Sequence, residues 1–133
     1  MAILAFSLSA IAQTTYIGFT SVKHPQGIDT VTNTGADTVN LGPMTASYNN
    51  LTIQPTVTKI SGTLTSNSTP QLQGSLDKVK YYNIAGDTLH LTNTTTLQTA
   101  WILTQLQYRY YRIIYTGTGT QTSTLAAKAF LVH

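Results

Sequence analysis

Short segments of alternating polar and apolar residues recur along this chain about every ten residues, with turn-forming residues between them. The clearest is the stretch YYRIIYT at 110–116, which turns into a Gly/Thr-rich TGTGTQT segment. Side chains of a strand point alternately to opposite faces, so Arg109, Tyr111, Ile113 and Tyr115 share one face, which we expect to be buried because three of the four are large and apolar. Many short strands of this kind predict an all-β fold, an antiparallel β-sandwich of the Ig-like or jelly-roll-like type.

The composition supports strands over helices. Glu is absent and 26 of the 133 residues are Thr, whose β-branched side chain favours the extended backbone. Charged residues make up 8% of the chain against about 25% in ordinary globular proteins, and hydrophobic residues make up 41%. The length and the lack of a composition break predict a single domain spanning 1–133, with 1–20 as an N-terminal strand or arm.

Turn-forming residues predict where the strands end. A hairpin is expected over Ile28–Gly42, with its turn at Asn33–Gly35. Pro55 marks an edge strand or a bulge, because proline has no N–H to donate to a neighbouring strand. Further expectations are a shared face for Leu72, Gly74 and Leu76, a tight turn at Asp77–Lys80, a turn at Gly86–Asp87, and either a strand or one helical turn within 97–106.

Two interpretations of the N-terminal stretch MAILAFSLSAIAQTT stay open. Ala10–Ala12 has the A-x-A pattern of a signal-peptidase site, but no Lys or Arg precedes the apolar run. The alternative is a strand or arm with an apolar face that packs on another surface, and this is the interpretation we favour. The run is too short to span a bilayer, so no membrane partner is expected.

The final segment alternates with apolar residues on both faces. A last strand of this kind predicts contact with a second copy or another protein, as does the apolar N-terminal run. We therefore expect a homo-oligomer. The residues expected at the subunit interface are Leu4, Phe6, Leu8, Phe130 and Val132.

No residue pattern indicates catalysis, a metal or a cofactor. The four Asp residues all lie beside predicted turns, where Asp commonly forms the turn itself. The three His residues lack metal-ligand spacing, and no G-x-S-x-G motif occurs. The seven basic residues are scattered along the sequence, so we expect no nucleic-acid binding.

Aromatic residues allow two interpretations. Tyr108, Tyr110 and Arg112 are candidates for an exposed aromatic surface. Together with Tyr81, Tyr82 and Trp101, the two tyrosines offer a possible stacking platform for a sugar. The alternative is a core Trp accompanied by tyrosines that satisfy their hydroxyls at the surface.

The second half of the chain resembles a family of small β-sandwich virion proteins of tailed bacteriophages. The matching elements are LQGSLD at 72–77, Tyr81 and Tyr82, YYR at 110–112 and TGTGTQ at 116–121, with Lys78 where the pattern usually has Gly. The resemblance implies a non-enzymatic structural protein of the virion that contacts other capsid, neck or tail proteins or decorates the capsid. A secreted or surface carbohydrate-binding β-sandwich module is the alternative.

Overall fold

The computed structural model describes residues 14–18, 20–21, 28–44, 49–64, 70–88, 93 and 96–132. Leu4, Phe6 and Leu8 lie outside the described residues, as do both alternatives for the N-terminal run. All regular elements in the described ranges are β-strands. Their bounds are β1 Thr14–Gly18, β2 Thr20–Ser21, β3 Ile28–Thr32, β4 Ala36–Leu41, β5 Asn50–Ser61, β6 Pro70–Ser75, β7 Tyr82–Thr88, β8 Thr96–Gln98, β9 Trp101–Leu103, β10 Tyr110–Thr116 and β11 Thr122–Val132.

The strands form two antiparallel sheets that enclose one core. In sheet A, β11 and β5 are the inner strands; β1 and β3 both pair with the free edge of β11, and β8 and β9 both pair with the free edge of β5. Sheet B has the order β2-β4-β10-β6-β7. The buried apolar residues of both sheets form one cluster. The prediction of an all-β antiparallel sandwich is therefore confirmed.

Strand β10 follows the predicted alternation. Tyr111, Ile113 and Tyr115 are fully buried in the core, whereas Tyr110 and Arg112 are half-buried on the opposite face of sheet B. Strand β10 lies at the centre of its sheet, between β4 and β6. Three large side chains buried on a central strand contribute about 1.5–3 kcal/mol each, which makes β10 a main stabilising element.

Strand β11 is an inner strand of the chain's own sheet. It pairs with β5 over its whole length, and Leu125, Ala129 and Leu131 are buried in the core. Half of its apolar pattern is thus explained within one molecule. Phe130 is half-buried on the outer face, beside the exposed Lys128. The interface assigned to Phe130 and Val132 stays a prediction.

The predicted hairpin over Ile28–Gly42 is wrong, although its turn is in the expected place. Asn33 has a φ of 52°, and Gly35 N–H donates to the Thr32 carbonyl at 2.9 Å. The flanking strands, however, belong to different sheets, since β3 pairs with β11 and β4 pairs with β10. The turn also bonds to the β10–β11 connection, with Asn33 N–H donating to the Gln121 carbonyl at 2.7 Å. The chain crosses from one sheet to the other here.

Pro55 lies in an inner strand, not at an edge. Strand β5 has β11 on one side and β8 and β9 on the other. Opposite Pro55 lies the break between β8 and β9, where Thr99 N–H donates to the Pro55 carbonyl at 3.5 Å. Because N–H and C=O of one strand residue point to the same side, the missing donor of Pro55 faces this interruption.

The segments around 86–87 and within 97–106 both form strands. Gly86 and Asp87 lie within β7, so the predicted turn is wrong; instead the register against β6 shifts, with Gln73 opposite Asn83 but Gln71 opposite Thr88. Within 97–106 the chain forms strand and not a helical turn, because β8 and β9 bond to the open edge of β5.

Candidate functional site

Tyr108 lies apart from the other two aromatic-surface candidates. Its ring packs directly over Gly74, where an added Cβ would be 2.2 Å from Tyr108 Cδ2. It meets the ring of Tyr111 edge-to-face, with centroids 6.2 Å apart, and Tyr108 N–H donates to the Tyr111 hydroxyl at 3.3 Å. Burial raises the pKa of Tyr111. Tyr108 is therefore a packing residue beside the core, while Tyr110 and Arg112 share the outer face of sheet B.

A row of planar polar side chains crosses this outer face. Arg112, Gln73 and Asn83 lie opposite one another on β10, β6 and β7. Arg112 Nε donates to Gln73 Oε1 at 2.7 Å, and Gln73 Nε2 donates to Asn83 Oδ1 at 2.6 Å. We call these three residues the amide–guanidinium row. Each member orients the next, so the row presents a fixed set of hydrogen-bonding groups.

Arg112, which belongs to this row, and the neighbouring Arg109 both lie over tyrosine rings. The guanidinium carbon of Arg112 lies 3.8 Å from the centroid of the Tyr81 ring, and that of Arg109 lies 5.7 Å from the centroid of the Tyr110 ring. These are cation–π distances. One face of each ring is consequently covered by a cation and is not free to stack on a ligand.

The fold gathers basic residues that are far apart in the sequence. The Ser75 carbonyl accepts a hydrogen bond of 3.1 Å from Arg109 N–H, and this joins the 76–80 turn to the start of β10. In the part of the chain that the structure describes, no carboxylate pairs with Arg112. Four of the seven basic residues thus lie at one end of sheet B, which we call the basic end: Lys78, Lys80, Arg109 and Arg112.

The same turn exposes apolar side chains from a fixed backbone. Asp77 Oδ1 accepts hydrogen bonds from Val79 N–H at 2.8 Å and Lys80 N–H at 2.9 Å, and these bonds, that of Lys80 foremost, lower the pKa of Asp77. Lys78 has a φ of 65°, the conformation that glycine adopts most easily. Leu76 is 68% exposed and Val79 is 80% exposed. We call residues 76–80 the apolar turn.

The alternation predicted that Leu76 shares the buried face of Leu72, and this prediction is wrong because Leu76 is exposed. Strand β6 ends at Ser75, whose hydroxyl accepts a hydrogen bond of 2.9 Å from Lys78 N–H. The chain turns away from the sheet at this point, so the period of two no longer decides where the next side chain points.

Trp101 cannot serve as a sugar platform. It begins β9 and is only 2% exposed, within the core cluster. The interpretation of a core Trp is therefore confirmed, and the stacking role is wrong for this residue. Tyr82, in contrast, is exposed at the start of β7.

An open pocket of about 240 Å³ lies at the β7 and β9 edges of the two sheets. The described residues of its lining have aliphatic, Thr, Gln and Tyr side chains and include no acid, histidine or lysine. No cluster of metal-ligating residues occurs among the residues described. His24, His90 and His133 lie outside them. No helix of the described ranges is long and apolar enough to cross a membrane.

Comparisons with known proteins place the chain by its fold. No protein-family model and no curated protein matches the sequence. Among solved structures, the PBSX exported protein XepA is 14% identical, with 98% of this chain and 39% of that chain covered and a TM-score of 0.54. The SPBc2 prophage-derived protein YomS is 11% identical, with 96% and 100% covered and a TM-score of 0.52. A family 16 carbohydrate-binding module is 8% identical, with 74% and 70% covered and a TM-score of 0.48.

The likenesses to XepA and YomS show a shared fold. The chain spans well under half of XepA but the whole of YomS. At these identities the fold alone is what the chain has in common with XepA and YomS.

Proposed function

We propose that this protein is a non-enzymatic structural component of a phage particle, where it packs against copies of itself or other virion proteins. Its fold is shared with two proteins of prophage origin, and the described residues that line the pocket between the sheets include no acid, histidine or lysine. The low content of charged residues suits a subunit that is covered by neighbours, because few charges oppose association.

The apolar turn carries this proposal. Leu76 and Val79 are large apolar side chains that water covers in the single chain. The backbone that presents them is already held by Asp77, so little further ordering is needed when a partner covers them. Full burial of each side chain would contribute about 1.5–3 kcal/mol to association. We assign a second copy of this chain as the first partner of the turn.

Light scattering of the purified protein over a range of concentrations tests this assignment. The wild type forms oligomers, and the double variant Leu76→Ser/Val79→Thr shifts the equilibrium to monomer. Ile60→Thr is the matched control, since Ile60 is also exposed but lies near the opposite end of the sandwich. The proposal is contradicted if the wild type stays monomeric and also fails to cosediment with phage particles that lack this protein.

A specific observation favours a second function, which is saccharide binding on the outer face of sheet B. The amide–guanidinium row offers amide and guanidinium groups on an open sheet face, and such groups recognise sugar hydroxyls. On a glycan array, Gln73→Ala removes the middle of the row and abolishes binding. Gln54→Ala, on the outer face of sheet A, leaves it unchanged. Equal binding by both variants contradicts this function.

A further inference from the structure

We propose that the basic end of sheet B selects acidic saccharides, whose carboxylates bind the guanidinium of Arg112. This inference rests on the second proposed function and adds the class of ligand. Its physical basis is the charge that the fold gathers around the amide–guanidinium row. The sequence, in which these cations are up to 34 positions apart, gives no sign of such a cluster.

Arg112 is oriented before any ligand arrives. Its Nε is bonded to Gln73, and its plane is fixed at 3.8 Å from the Tyr81 ring. Among the described residues no partner takes the two terminal amino groups of the guanidinium, and these form the planar fork that holds a carboxylate by two parallel hydrogen bonds. Because the side chain is half-buried, its charge is screened less than that of an exposed lysine.

The charge of Arg112 is not neutralised within the described part of the chain. The acid of the apolar turn, Asp77, accepts hydrogen bonds through its Oδ1 from Ser75, Val79 and Lys80, and its single negative charge is outnumbered by the four cations of the basic end. Lys78, Lys80 and Arg109 are exposed nearby and add to the positive potential. An anionic ligand therefore gains attraction here that a neutral sugar does not.

The geometry favours a saccharide over a nucleic acid. Single-stranded nucleic acids bind proteins by stacking bases on free aromatic faces. Here Arg112 covers one face of Tyr81, and Arg109 lies over Tyr110. At the other end of the row, beyond Gln73, Asn83 is exposed and uses its Oδ1 for Gln73, which leaves its amide N–H groups without a partner among the described residues and able to donate to a ring hydroxyl or glycosidic oxygen.

Polygalacturonate and its fully methyl-esterified form are the probes for this inference. The two polymers share one backbone and differ in the charge of the carboxyl group. By titration calorimetry at low salt, polygalacturonate binds at least tenfold more tightly than the ester, and the difference shrinks at high salt. Arg112→Gln weakens binding of polygalacturonate at least tenfold. Lys128→Gln, which removes the same charge from the outer face of sheet A, changes it less than twofold.

Each outcome has a distinct meaning. Equal binding of both polymers, lost in Gln73→Ala, overturns the acidic preference and leaves saccharide binding intact. No binding of either polymer, together with an empty glycan array, overturns both. Tighter binding of a single-stranded oligonucleotide that depends on Arg112 assigns the basic end to nucleic acid instead and overturns the inference. Arg109→Gln, an exposed position, repeats the test if Arg112→Gln fails to fold.

Discussion

Replacement of Gly74 by Ala tests the packing that separates Tyr108 from the outer face. The added Cβ would lie 2.2 Å from Tyr108 Cδ2 and 2.4 Å from its Cγ, whereas carbon atoms pack at about 3.5–4.0 Å. The ring must therefore move by more than about 1 Å. That movement disturbs the edge-to-face contact with Tyr111 and the 3.3 Å hydrogen bond to its hydroxyl.

The expected cost is about 2 kcal/mol. Overpacking in a core costs about 1–3 kcal/mol, and the aromatic pair contributes about 0.5–1.5 kcal/mol. For a domain of this size that corresponds to a fall in Tm of roughly 8 °C. Urea unfolding followed by far-UV circular dichroism measures the free energy directly, and near-UV circular dichroism reports the displaced tyrosine.

A double-mutant cycle with Tyr108→Ala isolates the contact. In that background no ring opposes the new methyl group, so Gly74→Ala costs close to nothing and the two substitutions are non-additive by about 2 kcal/mol. Additivity within about 0.5 kcal/mol would refute the reasoning, because the cost of Gly74→Ala would then arise from something other than Tyr108.

Two further predictions concern the apolar turn and the core. Hydrogen bonds to the carboxylate of Asp77 lower its pKa from 3.8. The contribution of Asp77 to folding stability is therefore complete well above pH 3.8 and is lost as the pH falls through the folded-state pKa. The Tm difference between wild type and Asp77→Asn should hold from pH 7 to about pH 5 and close below pH 3.8; a difference independent of pH contradicts this. Trp101→Ala should destabilise the fold by about 3–5 kcal/mol in urea unfolding, whereas Ile102→Ala, at a neighbouring residue that is 69% exposed, should change stability by less than about 0.5 kcal/mol. Equal effects of the two would mean that Trp101 is not in the core.

Local rules predicted the features that depend on neighbours in sequence. The alternation of β10 correctly gave its buried face, and Gly/Asn chemistry correctly gave the turn at 33–35. The Asp77–Lys80 turn formed as expected because Asp bonds to the backbone just after it. In each case the relevant forces act within a few residues.

Strand partners were beyond the reach of the same rules. The segments on either side of the 33–35 turn looked like a hairpin, yet β3 and β4 join different sheets. Pro55 suggested an edge strand, yet β5 is an inner strand whose neighbour is interrupted opposite the proline. A strand offers hydrogen bonds on two edges, and which partners take them depends on all the strands at once.

The chain's own sequence determined that it forms short strands with one buried side, because threonine content and a period of two act residue by residue. Only the tertiary structure decided that Trp101 is enclosed, that Arg112 is bound to Gln73 and stacked on Tyr81, and that cations distant in sequence meet at one end of sheet B. The physical reason is that burial and electrostatic potential are set by distances in space, and the pairing of β6 with β10 creates those distances.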